Sequence, residues 1–229
     1  MTDRTTVAGR AAARGLLLMS LLIAVPGTAS AQSCGNGPEG FGRWLEAMKG
    51  QAARQGISQS AIARALAGVS YDPTVIRLDR SQRSFKLSFE QFYARRVGSA
   101  LMRRAQERLA RHRAVFDRIE KQYGVPREIV VAIWGLETNF GADTSGRFSI
   151  VRSLATLAYD CRRSAFFTPQ FLDSIRIVQR GDMAPAQLRG GWAGEIGQTQ
   201  FLPSPYIKYA VDFDGDGRRD LVSSVPDIL

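Results

Sequence analysis

The chain has 229 residues, 45% hydrophobic and 23% charged, and a formal net charge of +10. That is ordinary globular composition, too apolar for a disordered chain. A single His and two Cys leave too few groups for a zinc site or an acyl-transfer triad.

From the N-terminus, Arg4, Arg10 and Arg14 precede the apolar run from Gly15 to Val25, then Pro26-Gly27 and Ala29-Ser30-Ala31. A basic n-region, a short apolar stretch and an Ala-x-Ala site read as a secretory signal peptide over residues 1–31. The run is short for a bilayer span; an uncleaved anchor is the competing reading. Cleavage after Ala31 removes three Arg and Asp3 and lowers the net charge from +10 to +8. Ala31 stands where a lipoprotein signal carries Leu, three residues before Cys34, so the expectation is a soluble periplasmic protein without a lipid. In an exported chain Cys34 and Cys161 suit one disulfide, and two unrelated thiols are the alternative. Export and the absence of nucleic-acid-binding patterns turn the positive charge toward murein carboxylates or acidic lipid head groups.

Nearly every later segment reads as helix. Trp44, Leu45, Met48 and Ala52 recur at helical spacing. Ser58 reads as the N-cap of a helix over 59–67 that Gly68 stops, and Tyr71-Asp72-Pro73 as a turn. A basic stretch from 85 to 122 carries Phe89, Phe92, Tyr93, Val97, Leu101, Leu109, Val115, Phe116 and Ile119 on recurring faces, with a break at Gly98. Its arginines read as a solvated face, and His112 as a surface residue. Pro126 suits the first position of the next helix, which runs to about Asn139. Helices over 149–159 and 169–180 follow. Residues 190–197 are glycine-rich, and a short helix resumes near Gln200. The fold class is mainly α, one domain over 32–229.

Within that frame Glu137 ends the apolar segment Ile129-Val130-Val131-Ala132-Ile133-Trp134. Trp134 and Ile133, three and four residues earlier, share its helix face, which places the carboxylate at the wall of the core. Lost hydration favours the protonated form, the form a general acid needs to cleave a glycosidic bond. A Glu paired with one of the many arginines is the competing reading. The segment from Gly190 to Ser204, with Trp192, Gln198 and Gln200, offers close backbone approach, a Trp to stack on a sugar ring and amides to hold hydroxyls or an N-acetyl group, against a tight turn with a buried Trp. Glu195 reads as a solvated charge. Asp212, Asp214, Asp216, Gly217 and Asp220 fit EF-hand positions 1, 3, 5, 6 and 9, with the Arg218 carbonyl at position 7. Ser223 replaces the usual Glu at position 12, and Asp227 lies near enough to close the shell. A structural Ca2+ is expected, against an acidic turn without metal.

Tyr123-Gly-Val-Pro126, Gly135-Leu-Glu-Thr-Asn-Phe-Gly141, Ser153-Leu-Ala-Thr-Leu-Ala158, Ala193-Gly-x-x-Gly-x-x-Gln-Phe201 and Val211-Asp-Phe-Asp-Gly-Asp-Gly217 resemble, in this order, the lytic murein transglycosylase B family from about Phe41 onward. The resemblance implies a lysozyme-like α domain and a peptidoglycan substrate. It implies non-hydrolytic cleavage between N-acetylmuramic acid and N-acetylglucosamine, leaving a 1,6-anhydromuramoyl end. It makes Glu137 the single acid/base, gives Gln200 and Tyr93 to the substrate beside Trp192, and gives Asp212, Asp214, Asp216, Arg218 and Asp227 to calcium. Relatives carry Gly-Ser-Phe/Tyr-Ala-Gly where this chain has Gly190-Gly191-Trp192-Ala193-Gly194. They continue past the acidic loop with a further helix, so 32–229 reads as a monomeric catalytic domain incomplete at its C-terminus. A water-using muramidase with Asp143 or Glu195 as second carboxylate, and a non-catalytic murein-binding protein, are the alternatives.

Overall fold

The turn after Cys34 leads into α1 (Phe41–Arg54), which buries Phe41, Trp44, Leu45, Met48 and Ala52 along one stripe. The computed structural model describes residues 1–2, 34–81, 87–144 and 146–229; the signal-peptide reading rests on residues outside these. In α2 (Gln59–Leu66) the Ser58 hydroxyl accepts the Ala61 N–H at 3.2 Å, a side-chain N-cap. Asp72 does the same for Thr74 at 3.0 Å ahead of α3 (Pro73–Ser81).

The basic stretch divides into α4 (Phe89–Arg96), α5 (Ser99–Arg111) and α6 (Arg113–Tyr123). Gly98 makes one break; the other, at His112, corrects the expected single division. His112 is half-buried rather than a surface residue. Its ring meets Trp134 edge-on, 6.0 Å between centroids, and the turn there lets Phe116 and Ile119 face inward. Helix α7 (Arg127–Thr138) starts one residue later than expected, because Pro126 has an extended ψ of 136° and serves as N-cap. The Arg127 guanidinium bonds Asp117 at 2.6 Å and also Glu120, fixing that start against α6.

Strand β1 (Phe148–Ser149) pairs antiparallel with β2 (Arg189–Gly190). Between them, α8 (Ile150–Tyr159) is buried on almost every side and packs chiefly on α9 (Ser164–Arg180). Helix α9 begins five residues before Pro169, which was expected to open it. Phe167 and Phe171, one turn apart and both buried, require helix on both sides of the proline. Two short helices, α10 (Pro203–Tyr209) and α11 (Val225–Ile228), follow. Gln200 therefore lies in the turn before α10, not in a helix.

Buried apolar side chains form two clusters among the described residues. The larger joins α1–α3 with α8, α9 and the segment around Leu188 and Ile196. The smaller holds Phe116, Val131, Trp134, Phe140 and Ile228. Each fully buried side chain of this size contributes about 1.5–3 kcal/mol. Buried Asp79 is matched by Arg162 at 2.8 Å and by Arg163, as a desolvated carboxylate requires. A Cys34–Cys161 disulfide, with Cα atoms 4.9 Å apart, ties the segment ahead of α1 to the end of α8. No helix of the described residues is long and apolar enough to cross a membrane.

Candidate active site

On a 3.6-residue helix Glu137 falls angularly between Ile133 and Trp134, and the core boundary passes between those two. Trp134 is 2% exposed and Ile133 49%. Glu137 is exposed, so the expected burial in the core wall is corrected: the carboxylate faces a cleft. That cleft, about 380 Å³, is lined by Arg95 and Arg96 of α4, Leu101 and Arg104 of α5, and Leu136, Asn139 and Asp143 around Glu137. Among the described residues no cation pairs with Glu137. The Arg96 guanidinium instead donates to the Leu136 carbonyl, one of the last-turn carbonyls that the helix leaves without a partner.

The backbone beyond Glu137 is strained. Asn139, Phe140 and Gly141 have φ of 52°, 59° and 84°; the left-handed region costs a non-glycine residue about 1–2 kcal/mol. Three contacts hold it. Phe140 is buried edge-on to Trp134, with centroids 5.4 Å apart. Thr138 Oγ1 donates to the Gln198 carbonyl at 2.6 Å and accepts the Gly141 N–H at 3.1 Å. A Cβ on Gly141 would come within 2.4 Å of Gln198 Oε1, so the position must be glycine for space as well as for φ.

Sequence reasoning gave the Gln198 amide to sugar and missed its structural role. Its Oε1 accepts the Trp134 Nε1–H at 2.7 Å, its Nε2 donates to the Val222 carbonyl at 2.8 Å, and its N–H donates to the Leu221 carbonyl at 2.8 Å. The only signal for it was a second amide, two residues before Gln200, in the same glycine-rich segment.

The other expected substrate contacts do not line the Glu137 cleft. Tyr93 is 53% exposed on α4, its ring 6.0 Å from that of Phe89. Trp192 is half-buried against the larger core cluster rather than fully exposed. Gln200, at φ 54°, donates its Nε2 to the Gly197 carbonyl at 2.8 Å. Glu195 folds back to accept the Ala193 N–H at 3.0 Å. Asp143 does share the cleft.

In the acidic loop Asp212 accepts N–H groups from Gly215, Asp216 and Gly217 at 2.7, 3.0 and 2.8 Å. Carboxylate oxygens of Asp212, Asp214 and Asp227 lie within 4.8 Å of one another. Asp216 turns to Arg218, accepting its N–H at 2.8 Å and pairing with its guanidinium at 3.3 Å. Asp220 bonds Ser223 and the Val222 N–H. Burial pushes its pKa up, but these donors and Arg218 outweigh that and hold it below the ordinary value. Three converging carboxylates form an all-oxygen donor set that fits a hard cation such as Ca2+.

Comparison with known proteins adds to this geometry. Residues 40–229 match the family model of the transglycosylase SLT domain. Over 100 residues, 43% of this chain and 27% of the relative, the sequence is 42% identical to membrane-bound lytic murein transglycosylase B of Escherichia coli K12. SltB3 of Pseudomonas aeruginosa, solved with NAG-NAM-pentapeptide, is similar at TM-score 0.78 and 41% identity, over 82% of this chain and 50% of that one. Escherichia coli Slt35, solved with calcium, gives TM-score 0.70 and 25% identity, over 88% of this chain and 64% of that one. The fold is the lysozyme-like one of lytic transglycosylases, and the chain spans about half the length of SltB3.

Proposed function

The chain belongs to the transglycosylase SLT domain family, and from that premise we propose that it is a lytic murein transglycosylase with Glu137 as its acid/base. The observation that carries the reading is an acid with no cationic partner among the described residues, facing a cleft, at a helix end held under strain.

In the proposed reaction protonated Glu137 donates its proton to the glycosidic oxygen between N-acetylmuramic acid and N-acetylglucosamine, and that bond breaks. The carboxylate then takes the proton of the muramic 6-hydroxyl as its oxygen bonds to the anomeric carbon, closing a 1,6-anhydro ring. One carboxylate suffices because the substrate supplies the nucleophile, unlike the usual pair. Tyr93, Trp192 and Gln200 are proposed as sugar contacts along the strand, outside the pocket of the acid. Export through residues 1–31 to the periplasm brings the chain to its substrate, and its positive charge suits a polymer bearing peptide carboxylates.

Asp212, Asp214 and Asp227 would hold Ca2+, with Asp216, the Arg218 carbonyl and Asp220 close by. The ion would neutralise the clustered carboxylates and fix the loop. The test is product mass after digestion of purified sacculi. Anhydromuramoyl ends, lighter by one water than reducing ends, are expected; reducing ends alone would overturn the proposal. They would favour the second reading, a water-using muramidase, which the presence of Asp143 in the cleft supports.

A further inference from the structure

One residue stands between the two hydrophobic clusters. Gln198 lies two residues after Ile196, a member of the larger cluster, and its Oε1 accepts from Trp134, a member of the smaller. Trp134 is one turn before Glu137 on α7. On its other side Gln198 is wired to the acidic loop. Asp227 Oδ2 accepts the Asp220 N–H at 2.8 Å, and Asp220 Oδ1 accepts the Val222 N–H at 2.8 Å. The Val222 carbonyl accepts Gln198 Nε2 at 2.8 Å, and Gln198 Oε1 accepts Trp134 Nε1–H at 2.7 Å. Every link is of ordinary hydrogen-bond length.

Both ends of this chain store free energy that the middle can exchange. Asp212, Asp214 and Asp227 repel one another until a cation neutralises them. The left-handed run from Asn139 to Gly141 relaxes unless Thr138 stays bonded to the Gln198 carbonyl. Asp227 is already seated, its Oδ1 accepting the Phe213 N–H at 2.7 Å, so a cation pulling on its carboxylate acts through Asp220 and the Val222 carbonyl on the rotamer of Gln198. That rotamer sets Trp134 and the end of α7.

We propose that Gln198 is a positioning residue that couples cation binding at Asp212, Asp214 and Asp227 to the placement of Glu137. The proposal rests on Glu137 being the acid and deepens that reading by adding a regulator of its geometry.

The test titrates the apo chain with calcium chloride, following heat and tryptophan emission together. A Trp192→Phe background, used for the emission titration alone with kinetics measured in the chain that keeps Trp192, leaves Trp134 and the buried Trp44 as reporters. Heat and an emission change that saturate together are expected. Gln198→Met should still bind calcium but lose the emission change, and its kcat should fall about 10- to 100-fold with KM little altered. Gln198→Glu keeps an acceptor for Trp134 but loses the donor to Val222; it should also bind silently, and it carries the test if the Met variant does not fold. An emission change that survives in either folded variant overturns the coupling, and so does the absence of calcium heat in the parent chain. If instead the parent chain yields no anhydro product, the enzymatic reading fails while the emission result stands.

Discussion

A carboxylate in the last turn of a helix faces the partial negative charge of unpaired carbonyls. At Glu137 the Arg96 guanidinium answers the Leu136 carbonyl, and among the described residues no cation pairs with the acid itself. The residues behind it are fixed by space. Gly141→Ala adds a Cβ 2.4 Å from Gln198 Oε1 at φ 84° and is expected to cost about 2 kcal/mol or more in denaturant unfolding; an unchanged midpoint would contradict this. His112 is the other residue whose setting makes a prediction. Burial first, then Arg108 and Arg111, lower its pKa from 6.5. Below pH 6.5 the unfolded chain therefore binds more protons than the folded one. The stability contributed by neutral His112 is present above pH 6.5 and is lost as pH falls through the lowered folded value. Melting temperatures of the native chain should fall more steeply there than those of His112→Gln; parallel profiles would refute it. The motif around Glu137 was legible in the sequence, but its exposure was not: periodicity gives the shared face and leaves open where the core boundary cuts it.

Helices with local signals were readable, and those shaped by distant contacts were not. Ser58 and the stripe from Phe41 to Ala52 announce α2 and α1 through side chains a few residues apart. The break at His112 depends on Trp134, and the early start of α9 on burying Phe167. The packing role of Gln198 was not legible because its partner Trp134 is 64 residues away. At the acidic loop the spacing of aspartates was plain, while the inward turn of Asp227 needed α11 to carry it. Calcium at a hundred times its dissociation constant is expected to stabilise the chain by about 2.7 kcal/mol. Asp214→Asn should remove most of that gain in thermal melts, and an equal gain in this variant would exclude the cluster as the site.

Across the whole molecule, the Cys34–Cys161 bond closes a loop with a sequence separation of 127. Such closure restricts the unfolded ensemble, an effect of about 2–4 kcal/mol. Denaturation of Cys34→Ser/Cys161→Ser should show a loss of that order, and no loss would mean that the N-terminal tie leaves the core unaffected. The central claim concerns a single proton donor, and the most direct measurement compares the parent chain with Glu137→Gln on purified sacculi. The account predicts release of anhydromuropeptides by the parent and none by the variant, with cosedimentation on murein retained in both. Continued release by Glu137→Gln would contradict it.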